Sequence, residues 1–119
     1  VVKDQKFGFW QWPLPPYFYY AKGQMLRQFF GPKLDRVIVS ELQAEPWVTN
    51  GFQNTPLEEQ YKSMSIDQFK SNVDYAKRAG FDEVYLWGAE WWYWMKEKQG
   101  VPDYWDYAKT LFVKPTPAK

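Results

Sequence analysis

Apolar positions along the chain follow two patterns, one helical in period and one continuous over short β-branched runs. From about Pro15 to Phe30, Phe18, Ala21, Met25 and Phe29 recur at helical spacing and predict an amphipathic helix. Proline is tolerated in its first turn, where the missing N–H has no partner in any case, and Gly31-Pro32 ends it. Pro13 and Pro16 also have the spacing of a Pro-x-x-Pro peptide ligand, but the amphipathic run behind them favours a helix start. Residues 36–41 read as a strand: Val-Ile-Val is β-branched and apolar on both faces, as in a parallel sheet covered on both sides. The strand ends on Glu41, so Val37, Val39 and Glu41 share one of its faces.

Residues 42–64 carry several turn formers and read as one long loop. A loop of that length in a compact domain is more often functional than neutral. Ser65 with Gln68 makes a capping-box pattern that opens a helix, with Ile66, Phe69, Val73 and Ala76 on one face and Gly80 as its left-handed stop. Glu83 to Trp87 is a second strand of buried type, running into Gly88 and the aromatic cluster of residues 89–94, read as a loop. Pro102 starts a last helix through Phe112, with Tyr104, Trp105, Ala108, Leu111 and Phe112 facing inward. Residues 113–119 read as a polar, frayed tail. Two buried strands joined by a crossover helix predict a right-handed βαβ unit with a parallel pair. Two strands alone do not make a stable sheet, so the isolated chain is expected to associate through its open edges.

Composition narrows the chemistry. With 119 residues the chain has room for one ordinary domain, and 45% hydrophobic content marks it as globular. Fifteen basic and 14 acidic residues leave a net charge of +1, which gives no pull toward nucleic acid or an anionic membrane. No apolar run approaches the ~20 residues of a membrane span, and no targeting signal can be read. There is no cysteine and no histidine, which removes thiol nucleophiles, disulfides, histidine-based triads and nearly all zinc sites together. Carboxylates with shifted pKa values are then the natural acid–base groups. Aromatics reach 22%, including 8 tryptophans, and these residues build either cores or flat binding platforms.

Ligands of parallel α/β proteins sit at the carboxyl ends of the strands. Here the first strand delivers Glu41, Gln43, Glu45 and Trp47, and the second delivers Trp87, Glu90, Trp91, Trp92 and Trp94. Acids beside indole faces suit sugars, whose C–H faces stack on aromatics and whose hydroxyls bond to carboxylates. Hydrolysis of a glycosidic bond needs two carboxyl groups. "VIVSELQAEPW" resembles the seventh strand of the retaining (β/α)8-barrel glycosidases of the cellulase and xylanase superfamily, where an apolar strand ends in Ser-Glu or Thr-Glu. "DEVYLWGAEWWYW" resembles the eighth strand, which ends in a tryptophan lining the sugar site.

The resemblance implies an α/β fold, a partial (β/α)8 TIM barrel comprising the last two β/α units preceded by the helix after strand six. Residues 1–119 would form the C-terminal portion of one glycosidase domain, since a whole barrel takes ~250 residues. It implies a glycoside hydrolase cleaving β-glycosidic bonds by retaining double displacement, inactive in this fragment, with Glu41 as nucleophile and Trp87 as sugar platform. The family's Asn-Glu acid/base motif has no counterpart here, and Ala44-Glu45-Pro46 lacks its asparagine. Glu45, Trp47, Glu90 and Trp91 are the further candidates for substrate contact. An oligo- or polysaccharide is the expected partner, with no nucleic acid, no metal and no organic cofactor. Two rival readings keep the same residues: a non-catalytic carbohydrate-binding protein, and a Trp-rich protein-interaction module.

Overall fold

The computed structural model describes residues 2–4, 8–10 and 14–112; the expectations for Pro13 and for the tail at 113–119 fall outside these. Strands β1 (Val2–Asp4) and β2 (Gly8–Trp10) pair antiparallel as a small sheet of their own. Helix α1 spans Pro16–Phe30 and ends at Gly31, whose φ of +53° suits a residue without Cβ. Then follow β3 (Ile38–Gln43), a 3-10 turn at Phe52–Asn54, α2 (Leu57–Ser63) and α3 (Ile66–Arg78). Strand β4 (Glu83–Trp87), α4 (Ala89–Gln99) and α5 (Asp103–Leu111) complete the described chain.

Helix α3 forms as its sequence predicts. Ser65 accepts the Gln68 N–H at 3.1 Å, Phe69, Val73 and Ala76 are buried, and Gly80 has φ +69°. The Gln68 side chain makes a different bond, its amide N–H donating to Asn72 Oδ1 one turn on at 2.7 Å. The core gathers where α3, α4 and α5 meet the segment after β3, and contains Ala44, Met64, Phe69, Trp91, Trp92, Met95 and Tyr104. Its polar atoms are matched: the Trp92 indole N–H donates to the Ala44 carbonyl at 2.7 Å and the Tyr104 hydroxyl to the Met64 carbonyl at 3.2 Å.

The expected partial (β/α)8 barrel is not what the chain forms. It is a small, mostly helical domain whose described residues hold only two parallel strands, β3 and β4. A barrel strand is buried on both faces, by the packed interior and by the outer helices. Here Leu42 and Leu86 pack toward the helical core, while Ile38, Tyr85 and Trp87 are exposed. Ile38 pairs with Glu83 and Gln43 with Trp87, and β3 carries one more residue than β4 between Val39 and Leu42. The extra residue breaks the strict alternation that a barrel's layered interior requires. It also means that β3 does not end on Glu41, which lies within the irregular stretch, two residues before the strand's last residue.

Two segments expected as loops are helical. Residues 42–64 contain α2, and the aromatic cluster after Gly88 is the first half of α4. Helix α4 has the usual terminal signals: Glu90 in its first turn, Lys96 and Lys98 in its last, and Gly100 at φ +68° after it. It folds back against α5, with Trp91 edge-on to Tyr104 at 4.5 Å and Tyr93 to Trp105 at 5.6 Å.

Helix α1 packs on the outside. Tyr19 meets the rings of Tyr75 and Phe81, Tyr20 lies over Gly80, and Arg27 pairs with Asp82. Asp82 also accepts the Val37 N–H at 2.7 Å, which ties α1 to the amino end of the strand pair.

Candidate functional site

The carboxyl end of the β3–β4 pair brings together most of the residues singled out from the sequence. Gln43 and Trp87 are register partners, and the Ala44 N–H donates to the Trp87 carbonyl at 2.9 Å, so the two strands leave the sheet side by side. Beyond that bond the backbone turns sharply. Gly88, at φ +133°, lies so close that a Cβ there would sit 2.8 Å from the Ala44 oxygen and 2.9 Å from the Glu45 Cβ. Glu45 is thereby held beside the start of α4. The Gln43 amide bonds to the Glu45 carbonyl at 3.0 Å, and the Asn72 amide of α3 bonds to the Gln43 carbonyl at 3.0 Å.

Glu45 is half-buried, and its carboxyl is pushed above the ordinary glutamate range, first by burial and second by the charge of Glu90. Glu90 is exposed in the first turn of α4. A carboxyl biased toward the proton beside a second carboxyl is an arrangement that acid–base chemistry uses.

Aromatic surface flanks the pair. Trp87 is 53% exposed on the open face of the sheet, next to exposed Tyr85 two residues earlier on the same face. Trp47 follows buried Pro46 and is 79% exposed, its backbone N–H anchored to Ser63 Oγ at 3.2 Å.

Glu41 stands apart from this group. It is exposed in the irregular stretch of β3, and its carboxylate makes no hydrogen bond or ion pair among the described residues. Trp91 does not face a ligand at all. It is fully buried, with its indole N–H bonded to Gln60 Oε1 at 2.6 Å, so its expected role in substrate contact is replaced by one in the core. The helical period of α4 explains this: Trp91, Trp92 and Met95 fall on the inner side, while Glu90 and Tyr93 fall outside.

Two contributors were missed in the sequence. Tyr85 extends the platform, and the alternation Tyr-Leu-Trp at 85–87 was the signal for it. Gly88 sets the close approach of Glu45 to α4, and a glycine directly after an apolar strand was the signal there. Among the described residues no three His, Cys, Asp or Glu side chains gather as a metal site, and no helix is long and apolar enough to cross a membrane. No family model, curated protein or solved structure matches the chain.

Proposed function

We propose that the carboxyl end of the β3–β4 pair is a saccharide-binding edge equipped for glycosidic hydrolysis. The observation that carries this reading is the half-buried Glu45, held beside the start of the helix that carries Glu90 and flanked by the exposed indoles of Trp47 and Trp87. Trp87 with Tyr85 offers a flat surface for the C–H faces of sugar rings, and the carboxylates accept hydroxyl hydrogen bonds. In this reading Glu45 holds the proton that the leaving oxygen takes up, because its site disfavours the charged form. Glu90 is its partner on the same edge, and in a retaining reaction it attacks the anomeric carbon. Glu41, the nucleophile implied by the family resemblance, lies in the irregular stretch of β3, whereas Glu45 packs against Gly88, directly before the helix that carries Glu90.

The near-zero net charge supports saccharide over nucleic acid, since phosphate binding draws on clustered Lys and Arg that this edge lacks. The test is calorimetric titration of the chain with cello- and xylo-oligosaccharides, together with hydrolysis of aryl β-glycosides. Saturable binding that weakens by about 1 kcal/mol in Trp87→Ala supports the platform. Turnover that disappears in Glu45→Gln supports the chemistry. Binding without turnover reduces the reading to carbohydrate recognition, and no binding by any oligosaccharide overturns it.

A further inference from the structure

Three side-chain carboxamides form a directed chain of hydrogen bonds from α3 to the turn that carries Glu45. Gln68 Nε2 donates to Asn72 Oδ1 at 2.7 Å, Asn72 Nδ2 donates to the Gln43 carbonyl at 3.0 Å, and Gln43 Nε2 donates to the Glu45 carbonyl at 3.0 Å. Gln68 and Asn72 stand one turn apart on α3, and Gln43 is the last residue of β3. Asparagine is a poor residue for a helix interior, where its side chain competes for the backbone. Asn72 nevertheless occupies the middle of α3, beside buried Val73, and engages Gln68 with one end of its amide and β3 with the other. Its place is explained by what it holds rather than by the helix it sits in.

We propose that Asn72 and Gln43 are positioning residues for Glu45, and that Gln68 orients Asn72 for the task. The inference rests on the reading of Glu45 as the acid of the carboxyl edge. With Oδ1 engaged by Gln68, the Asn72 amide presents its N–H end to β3 and fixes the Gln43 carbonyl. Gln43 then reaches past Ala44 to the Glu45 carbonyl and closes the turn. The core holds Ala44 separately: its N–H donates to the Trp87 carbonyl at 2.9 Å, and its carbonyl accepts from Trp92 Nε1 at 2.7 Å. The next carbonyl, that of Glu45 itself, is held by Gln43.

The chemistry of this chain of amides suits an acid. Carboxamides hold by hydrogen bonds and carry no charge, so they add no field beside a carboxyl that must give up and regain a proton. They grip Glu45 by its backbone and leave its carboxyl to burial and to Glu90 on α4, which push it above the ordinary glutamate range. A misplacement on the order of 1 Å at a reacting group costs up to about 100-fold in rate.

The test is the titration of Glu45 itself, followed by nuclear magnetic resonance at the Cδ of isotope-labelled glutamate and assigned with Glu45→Gln. Asn72→Ala and Gln43→Met each remove one donor; alanine favours the helix, and methionine keeps the length of the glutamine. In both folded variants the Glu45 midpoint should fall toward the ordinary glutamate value, as the freed turn lets the carboxyl into water. Because the bonds act in series, the double variant should move it no further than the larger single effect. Turnover of an aryl β-glycoside should lose about 10–100-fold in kcat with KM within about twofold, since Trp87 is untouched. A midpoint unchanged in Asn72→Ala overturns the proposal whether or not stability falls, and so does full additivity in the double variant. A midpoint that moves in a chain without turnover upholds the positioning and fails the hydrolytic reading, so the two failures are distinct.

Discussion

The indole N–H of Trp91 donates to Oε1 of Gln60 at 2.6 Å, and both side chains are fully buried. The other end of the same amide donates to the carbonyls of Phe52, at 2.8 Å, and Thr55, at 2.7 Å. One glutamine therefore joins α2, the turn before it and the core face of α4. This polar knot lets residues 42–64 pack closely without leaving buried groups unpaired.

Gln60→Leu keeps the volume but strands the Trp91 indole N–H and the Thr55 carbonyl, while the Phe52 carbonyl keeps the Thr55 N–H at 3.4 Å. Each unsatisfied buried group costs about 1–3 kcal/mol, so the variant should lose roughly 2–6 kcal/mol. Trp91→Phe strands only the Gln60 oxygen and opens a cavity, and should lose about 2–4 kcal/mol. Urea unfolding of both variants and of the double mutant checks this. Additive losses would show that the two residues do not act as a unit.

Gly88 has a second, separate constraint. A Cβ at that position meets the Ala44 carbonyl at 2.8 Å, and φ +133° is strained for any residue that has one. Gly88→Ala should cost about 1–3 kcal/mol and move Glu45 away from Glu90. Thermal unfolding reads the first effect. Calorimetry with an oligosaccharide reads the second, as weaker binding by the folded fraction. Unchanged stability would mean that the turn relaxes freely and does not position Glu45.

What could be read from the sequence follows from where burial and polarity agree. Helix α3 was legible because Phe69, Val73 and Ala76 are apolar and buried, with Ser65 and Gly80 marking its ends. Helix α2 was not, since its one buried residue is Gln60 and no apolar period runs through it. Helix α4 was hidden by its own tryptophans. A run of indoles after a strand reads equally well as platform or as core, and only packing against Tyr104 and Gln60 decides for Trp91. The parallel pair was legible, but its scaffold was not. Val-Ile-Val suggests burial on both faces, yet among the described residues the buried core lies on one side of the pair. The approach of Glu45 to the start of α4 is a tertiary relationship, since the two lie far apart in sequence and come together at the Gly88 turn.

The pH dependence of stability should carry two opposite signs. The Glu45 carboxyl is raised in the folded state by burial and by Glu90, so its contribution is fully present below the ordinary glutamate value and is lost as pH rises through the folded one. Glu45→Gln should therefore gain on wild type as pH increases from acid to neutral. Asp82 is held below the usual aspartate range, first by the Val37 N–H and then by Arg27, so its contribution is present above the unfolded value and lost as pH falls through the folded one. Asp82→Asn should trail wild type at neutral pH and draw level in strong acid. Denaturant unfolding across the pH series tests both. Parallel curves for Glu45→Gln and wild type would mean that Glu45 is not strained in its site.

The last prediction concerns which carboxylate attacks. A retaining mechanism holds its two carboxyl groups about 5–5.5 Å apart, one protonated and one charged. Glu45 is pushed up, first by burial and then by Glu90, which stands in the first turn of α4. Glu41 has a different setting, an exposed position where β3 carries its extra residue. An irregularity of this kind re-aims a side chain, and here it removes Glu41 from the regular face that Val37 and Val39 would have shared with it. Incubation with a 2-fluoro-glycoside, followed by peptide mass spectrometry, should place the label on Glu90. Glu90→Gln should abolish labelling, and Glu45→Gln should slow it through loss of the acid. Glu41→Gln should leave labelling within about twofold of wild type, far from the ~10²–10⁴-fold loss of a missing catalytic carboxyl. Label on Glu41 would instead restore the strand position implied by the glycosidase resemblance and remove Glu90 from the chemistry.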